Sequence, residues 1–67
     1  MAKIQLNGKK ITIKSKFSIL DLLKKYKLTN KKIAIEYNGS IIQKTNYKKK
    51  YLKNDDKLEI VHFIGGG

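Results

Sequence analysis

The chain contains no cysteine, no arginine and no proline. Without cysteine there is no disulfide framework, no thiolate metal site and no thiol to act as nucleophile or to hold a persulfide. Candidates for chemistry are few: one histidine, His62, and five acidic residues, Asp21, Glu36, Asp55, Asp56 and Glu59. Their spacing suggests neither an acid/base pair nor a metal site, so nothing here reads as an enzyme on its own and no catalytic residue is assigned. His62 reads as an ordinary strand residue, Asp55-Asp56 as turn chemistry, and Lys48-Lys49-Lys50 as a solvated face. Long apolar runs are missing too. No stretch approaches the roughly 18 residues of a membrane span, and the start, Met1-Ala2-Lys3-Ile4-Gln5, alternates in polarity without the apolar segment of an export signal. The expected setting is a reducing one, the cytoplasm or, for a plastid-encoded chain, the stroma.

What is abundant is lysine. Sixteen basic residues against five acidic give a formal charge of +11, and every basic residue is Lys. Arginine supplies the planar fork that reads phosphates and guanine edges, so a basic chain without it makes a poor reader of nucleic-acid sequence. Lys, Ile and Asn all have A/T-rich codons, and the charge is read mainly as composition, with no specific nucleic-acid partner. Binding to RNA, if present, should be blind to sequence. Curves for unrelated RNAs are expected to coincide and to weaken steeply with added salt, whereas selective binding that survives high salt would overturn this reading.

A chain of 67 residues makes one domain and buries only about 60% of its unfolded surface, so its core must be economical. Two Asn-Gly pairs organise it. Asn7-Gly8, between Lys3-Ile4-Gln5-Leu6 and Lys10-Ile11-Thr12-Ile13-Lys14, predicts a two-residue type I′ hairpin. That register pairs Leu6 with Lys9, Ile4 with Ile11 and Ala2 with Ile13, which puts the apolar residues on one face and leaves Gln5, Lys10, Thr12 and Lys14 on the other. Asn38-Gly39 predicts a second hairpin between Lys32 through Tyr37 and Ser40 through Gln43. Between the hairpins, Ser18 opens a helix in which Ile19, Leu22, Leu23 and Tyr26 form one apolar stripe. Asp21 completes a capping box, and Lys24, Lys25 and Lys27 suit the negative end of the helix dipole. Tyr47, Tyr51 and Leu52 have the spacing of a short helical turn, and Asn54-Asp55-Asp56 marks a turn before a last strand, Lys57 through Ile64. Apolar residues on both faces of that strand place it inside the sheet.

The chain then runs out on Gly65-Gly66-Gly67. Three terminal glycines arise by chance roughly once in 3,000 chains at about 7% glycine. Glycine has no Cβ, so such a tail can thread a channel too narrow for side chains. At about 3.3–3.6 Å per residue it carries the carboxylate of Gly67 roughly 10 Å from the folded body. Phe63 and Ile64, at the root of the tail, are candidate apolar docking points.

The Asn7-Gly8 hairpin, the helix from Ser18 to Tyr26, the run Ile35-Glu36-Tyr37-Asn38-Gly39-Ser40-Ile41-Ile42 and above all the stretch from Asp56 to Gly67 resemble the ubiquitin-like β-grasp sulfur carriers. Within them the chain is most similar to the ThiS-like carriers of thiazole formation in thiamin biosynthesis. It departs from their pattern at Gln43-Lys44, where Pro-Arg is frequent, and at Asp55, where Gly is usual before the Asp. The resemblance implies an α+β fold of about five strands in the order ββαββ-turn-β, with one main helix on one face of a mixed sheet. Residues 1–64 would form the domain and residues 65–67 a flexible tail. It also implies that a ubiquitin-activating-like (ThiF-like) adenylyltransferase joins Gly67 to AMP from ATP. A persulfide donor then supplies sulfur for a thiocarboxylate, and a ThiG-like thiazole synthase accepts it. Gly65 and Gly66 would thread the partner, and the chain would bind no cofactor of its own. Three other readings stay open: the small subunit of molybdopterin synthase, whose members commonly place proline before the tail; a ubiquitin-like modifier; and, from a different class, a small basic RNA-binding module.

Overall fold

The computed structural model describes residues 1–29 and 32–62, and its elements follow the expected order. Strands β1 (Ala2–Leu6) and β2 (Lys9–Ile13) form the first hairpin, α1 (Ile19–Lys25) crosses the sheet, and β3 (Ile33–Tyr37) and β4 (Ser40–Ile42) form the second hairpin. A 3₁₀ turn (Lys44–Asn46) leads to β5 (Lys57–His62). The sheet has five strands in the order β2-β1-β5-β3-β4, with β5 parallel to β1 and antiparallel to β3. The last strand therefore lies at the centre. The boundary expected after Ile64 falls outside the described residues.

The first hairpin takes the expected register, Ala2 opposite Ile13, Ile4 opposite Ile11 and Leu6 opposite Lys9. Asn7 and Gly8 both have positive φ, as a type I′ turn demands, and Asn38 and Gly39 repeat the arrangement. Ala2, Ile4, Ile13, Ile35 and Leu58 point to the face covered by α1, where they join Ile19, Leu22 and Leu23 in one buried cluster. Gln5, Lys10, Thr12 and Lys14 lie on the opposite face, and of these all but Gln5 are well exposed.

The start of α1 is fully provided for. Ser18 accepts from the Asp21 amide through its hydroxyl at 3.0 Å, and the Asp21 carboxylate accepts from the Ser18 amide at 3.0 Å. The amides of Ile19 and Leu20, which have no partner inside the helix, donate to the carbonyls of Lys50 and Tyr47. The connecting segment thus serves as the external cap of the helix. The helical turn that the tyrosine spacing suggested forms around Tyr47 but ends before Tyr51: Tyr47 and Leu52 are buried, whereas Tyr51 is exposed and forms an isolated bridge with Ser18.

Tyr26 also departs from expectation. It is the C-cap of α1 and is 41% exposed, so it lies outside the core stripe. The helix stops because Lys27 turns into the left-handed region at φ 58°, and Leu28 donates its amide back to the Leu23 carbonyl while Lys27 donates to that of Lys24. This is the paired bonding of a Schellman end, and Leu28 packs against the core.

Candidate functional site

All five residues expected to carry function, Phe63, Ile64, Gly65, Gly66 and Gly67, lie outside the described residues. What the structure places is their root. β5 is bonded along both edges, and side chains from the two hairpin turns hold its start, at Lys57, and its middle, at Ile60.

At the first turn, the Asn7 amide donates to the Leu58 carbonyl at 2.9 Å. The Asn7 side chain then accepts from the Ile60 amide at 2.7 Å and donates to the Ile60 carbonyl at 3.4 Å, so it continues the β1 to β5 pairing beyond the end of β1. At the second turn, Asn38 donates its amide to the Lys57 carbonyl at 2.8 Å and accepts from the Lys57 amide at 2.7 Å. Each asparagine does two jobs. It tolerates the positive φ of the turn and it clamps the strand that leads to the tail.

Asp56 completes this frame. It is 2% exposed, and its carboxylate accepts from the Tyr37 hydroxyl at 2.8 Å, the Lys53 amide at 2.9 Å and the Asn38 side-chain amide at 3.2 Å. Burial works against its charge. The Lys53 amide, the Tyr37 hydroxyl, the Asn38 amide and the positive charge of Lys53 outweigh that effect and hold the carboxyl below its ordinary value. Burial, the bond to Asp56 and the Asp56 charge push the Tyr37 hydroxyl up to about 12, and the Lys50 ammonium sits 4.7 Å from the Tyr37 ring centre. Sequence reasoning read Asp56 only as a turn residue. No local pattern marks it, because its partners come from positions 37, 38 and 53.

A hollow of about 660 Å³ opens beside α1 and is lined by Leu20, Leu23, Leu28, Ile33 and Tyr47, together with Lys44 and Lys48. It brings together no acid/base pair. Among the described residues there is also no cluster of three His, Cys, Asp or Glu side chains that could hold a metal ion, and no helix is long and apolar enough to cross a membrane. The histidine, His62, is exposed at the end of β5, opposite Ile33.

Comparison with known proteins fits a fold whose central feature is the last strand. The model of the ThiS family matches residues 4–67. The chain belongs to the ThiS family. It is similar to the sulfur carrier protein ThiS of Bacillus subtilis (strain 168), with 46% identity over 65 residues, covering 96% of this chain and 98% of that protein. The crystal structure of the thiamine biosynthesis protein ThiS from Geobacter metallireducens superposes with a TM-score of 0.82 at 25% identity, over 97% of this chain and 99% of that one. The fold is accordingly the ubiquitin-like β-grasp. A thiazole synthase of Magnetococcus marinus is 35% identical over 65 residues, which are 97% of this chain but 20% of that protein. Asp55 holds a φ of 71°, in the region glycine enters freely and Asp only at some cost, so the backbone does not explain the departure there.

Proposed function

We propose that this member of the ThiS family is a sulfur carrier for thiazole formation in thiamin biosynthesis, with Gly67 as the group that carries the sulfur. One observation bears most of the weight: the family match runs unbroken from residue 4 through the glycines to residue 67. The frame around β5 supports it, because a strand bonded on both sides gives a partner a fixed base from which to take up a side-chain-free tail.

A carboxylate is a poor acyl donor, so the reaction needs activation. A ubiquitin-activating-like adenylyltransferase directs a Gly67 carboxylate oxygen to the α-phosphorus of ATP, releasing pyrophosphate and leaving an acyl adenylate. The outer sulfur of a persulfide attacks the acyl carbon and AMP departs. A thiol then cleaves the sulfur–sulfur bond, leaving a thiocarboxylate in which one oxygen has been exchanged for sulfur. The chain has no cysteine, so it offers no side-chain thiol on which a persulfide could rest instead. Thiazole synthase is the proposed acceptor, a reading supported by the relative in which a segment like this chain is one fifth of a thiazole synthase. The carrier itself holds no cofactor, ATP belongs to the activating partner, and the compartment is the cytoplasm or a plastid stroma.

The test is intact and peptide mass spectrometry after incubation with ATP, the adenylyltransferase and a persulfide source. The expected product has one oxygen replaced by sulfur at the C-terminal peptide. Deleting Gly67, or appending one bulky residue, should abolish that product while leaving the thermal transition unchanged. A conjugate between the terminus and a lysine, with no thiocarboxylate, would instead make the chain a modifier.

A further inference from the structure

The hollow beside α1 has no role in the chemistry proposed for Gly67. Its lining comes from α1, from the segment that follows the helix, from the start of β3 and from the segment after β4, and no residue of β5 belongs to it. At about 660 Å³ it falls within the roughly 300–1,000 Å³ of small-molecule sites. Leu20, Leu23, Leu28 and Ile33 make its walls apolar. Lysines supply all of its charge, because Lys32, Lys44 and Lys48 line it and no Asp or Glu does.

Tyr47 sets this hollow apart from a gap between elements. The residue is only 7% exposed, yet its hydroxyl makes no hydrogen bond among the described residues, whereas the Tyr37 hydroxyl donates to Asp56. No enclosed side-chain nitrogen or oxygen of the described residues lacks a partner, so the Tyr47 hydroxyl keeps some contact with solvent, and the surface that Tyr47 lines is this hollow. Burial pushes that hydroxyl above its ordinary value, which keeps it protonated and able to donate. Lys44 and Lys48 are exposed, and their side chains make no ion pair and no hydrogen bond among the described residues. An unused O–H donor and two unneutralised ammonium groups thus stand beside an aliphatic wall.

We propose that this hollow binds a small amphiphilic carboxylate, whose apolar chain lies against Leu20, Leu23, Leu28 and Ile33 and whose head accepts from the Tyr47 hydroxyl beside the ammonium groups of Lys44 and Lys48. The charge of the lining decides the sign of the head, since a cation would meet only like charge there. The apolar chain is needed as well, because exposed ammonium groups hold a bare carboxylate only weakly in water. A bound molecule would tie the segment after β4 to α1, across the place where the Leu20 amide already donates to the Tyr47 carbonyl. Binding therefore steadies the outer cap of the helix. The site owes nothing to the sulfur-carrier reading and stands or falls without it.

Decanoate below its micelle concentration is the probe, followed by amide and methyl NMR of the isotope-labelled full chain. Saturable shifts should be confined to residues around the hollow, and the thermal midpoint should rise as decanoate is added. Tyr47→Phe is the deciding variant. It removes an oxygen that bonds nothing in the free protein, so the midpoint without ligand should stay where it is while the affinity for decanoate falls roughly tenfold. Lys48→Gln should weaken binding roughly threefold, and Lys10→Gln, on the opposite face of the sheet, should not weaken it. Acetate, which lacks the chain, and decyltrimethylammonium, which lacks the negative head, should give no saturable shift at the hollow. Shifts that spread over the lysine surface without saturating, equal binding of the cationic amphiphile, or a Tyr47→Phe protein that binds decanoate like the parent would overturn the proposal. Leu20 and Tyr47 signals that move when residues 65–67 are removed, with no ligand present, would give the hollow to the chain's own terminus and overturn it as well.

Discussion

Replacing Leu22 with alanine is expected to remove about 2–5 kcal/mol of stability, enough to leave much of the protein unfolded at moderate temperature. Leu22 is fully buried in the middle of α1, among the side chains of both layers. Truncation takes away the transfer free energy of the lost methyl and methylene groups and leaves a cavity that neighbours fill only in part. The effect is large because the reserve is small. At roughly 0.05–0.15 kcal/mol per residue, a domain of this size holds about 3–10 kcal/mol in total. Its seven-residue helix adds little by itself, since so short a helix is stable only through its packing. Tyr26→Ala is the informative contrast. On the stripe read from sequence it would cost as much as Leu22→Ala, but at an exposed C-cap it should cost well under half as much. Urea denaturation of both variants gives the comparison, and a Leu22→Ala protein as stable as the parent would refute helix-on-sheet packing.

The contrast between these two residues shows where the sequence was readable. Hairpin register followed from Asn-Gly because a two-residue type I′ turn leaves one pairing, and the apolar alternation of Ile4, Ile11 and Ile13 agrees with it. The start of α1 followed from Ser18 and Asp21, whose capping bonds span three residues. Its end did not. The residue that takes the left-handed conformation is Lys27, and nothing in the pattern distinguishes it from a residue continuing the helix. The bonds of the Leu28 and Lys27 amides to Leu23 and Lys24, with Leu28 packed against the core, accompany that conformation.

Two further features were illegible for a related reason, namely that their causes are distant in sequence. The segment around Tyr47 to Leu52 owes its shape to the unsatisfied amides of Ile19 and Leu20 and to the Phe17 carbonyl, which accepts from the Leu52 amide. The central position of β5 was anticipated from apolar residues on both its faces, and the pairing agrees, but Val61 lies on an open face. For the candidate site, the glycine run at residues 65–67 is legible in the sequence as the expected reacting terminus, and the structure describes the strand that leads to it. The clamps from Asn7, Asn38 and Asp56 become visible only when both hairpin turns are seen to meet the same strand.

Asp56→Ala should cost about 3 kcal/mol or more, comparable to a core truncation although only a polar side chain is lost. The substitution leaves the Tyr37 hydroxyl, the Asn38 side-chain amide and the Lys53 amide without their shared acceptor, and each enclosed donor left unpaired costs about 1–3 kcal/mol unless water reaches it. The same network predicts the direction of the pH dependence. The Asp56 carboxyl is held below its unfolded value of 3.8, so the folded state favours the ionised form. Its contribution is therefore fully present above that value and is lost as the pH falls through the lower folded one. Asp21 acts in the same sense: the Ser18 amide, opposed by burial and aided by the Ser18 hydroxyl and the Lys24 charge, holds it below 3.8 as well. At the alkaline end the sign reverses. The Tyr37 hydroxyl is raised from 10.0 to about 12, so its contribution is present below 10 and lost as the pH rises toward 12. Urea unfolding from pH 2 to pH 7 should show stability falling on acidification in the parent and falling less in Asp56→Asn, which starts lower but has no carboxyl to protonate there. Tyr37→Phe combined with Asp56→Asn should cost less than the two single changes added together, because both remove the same hydrogen bond. Parallel pH curves for parent and Asp56→Asn, or strict additivity of the pair, would show that the network does not hold the base of β5 in the way its geometry indicates.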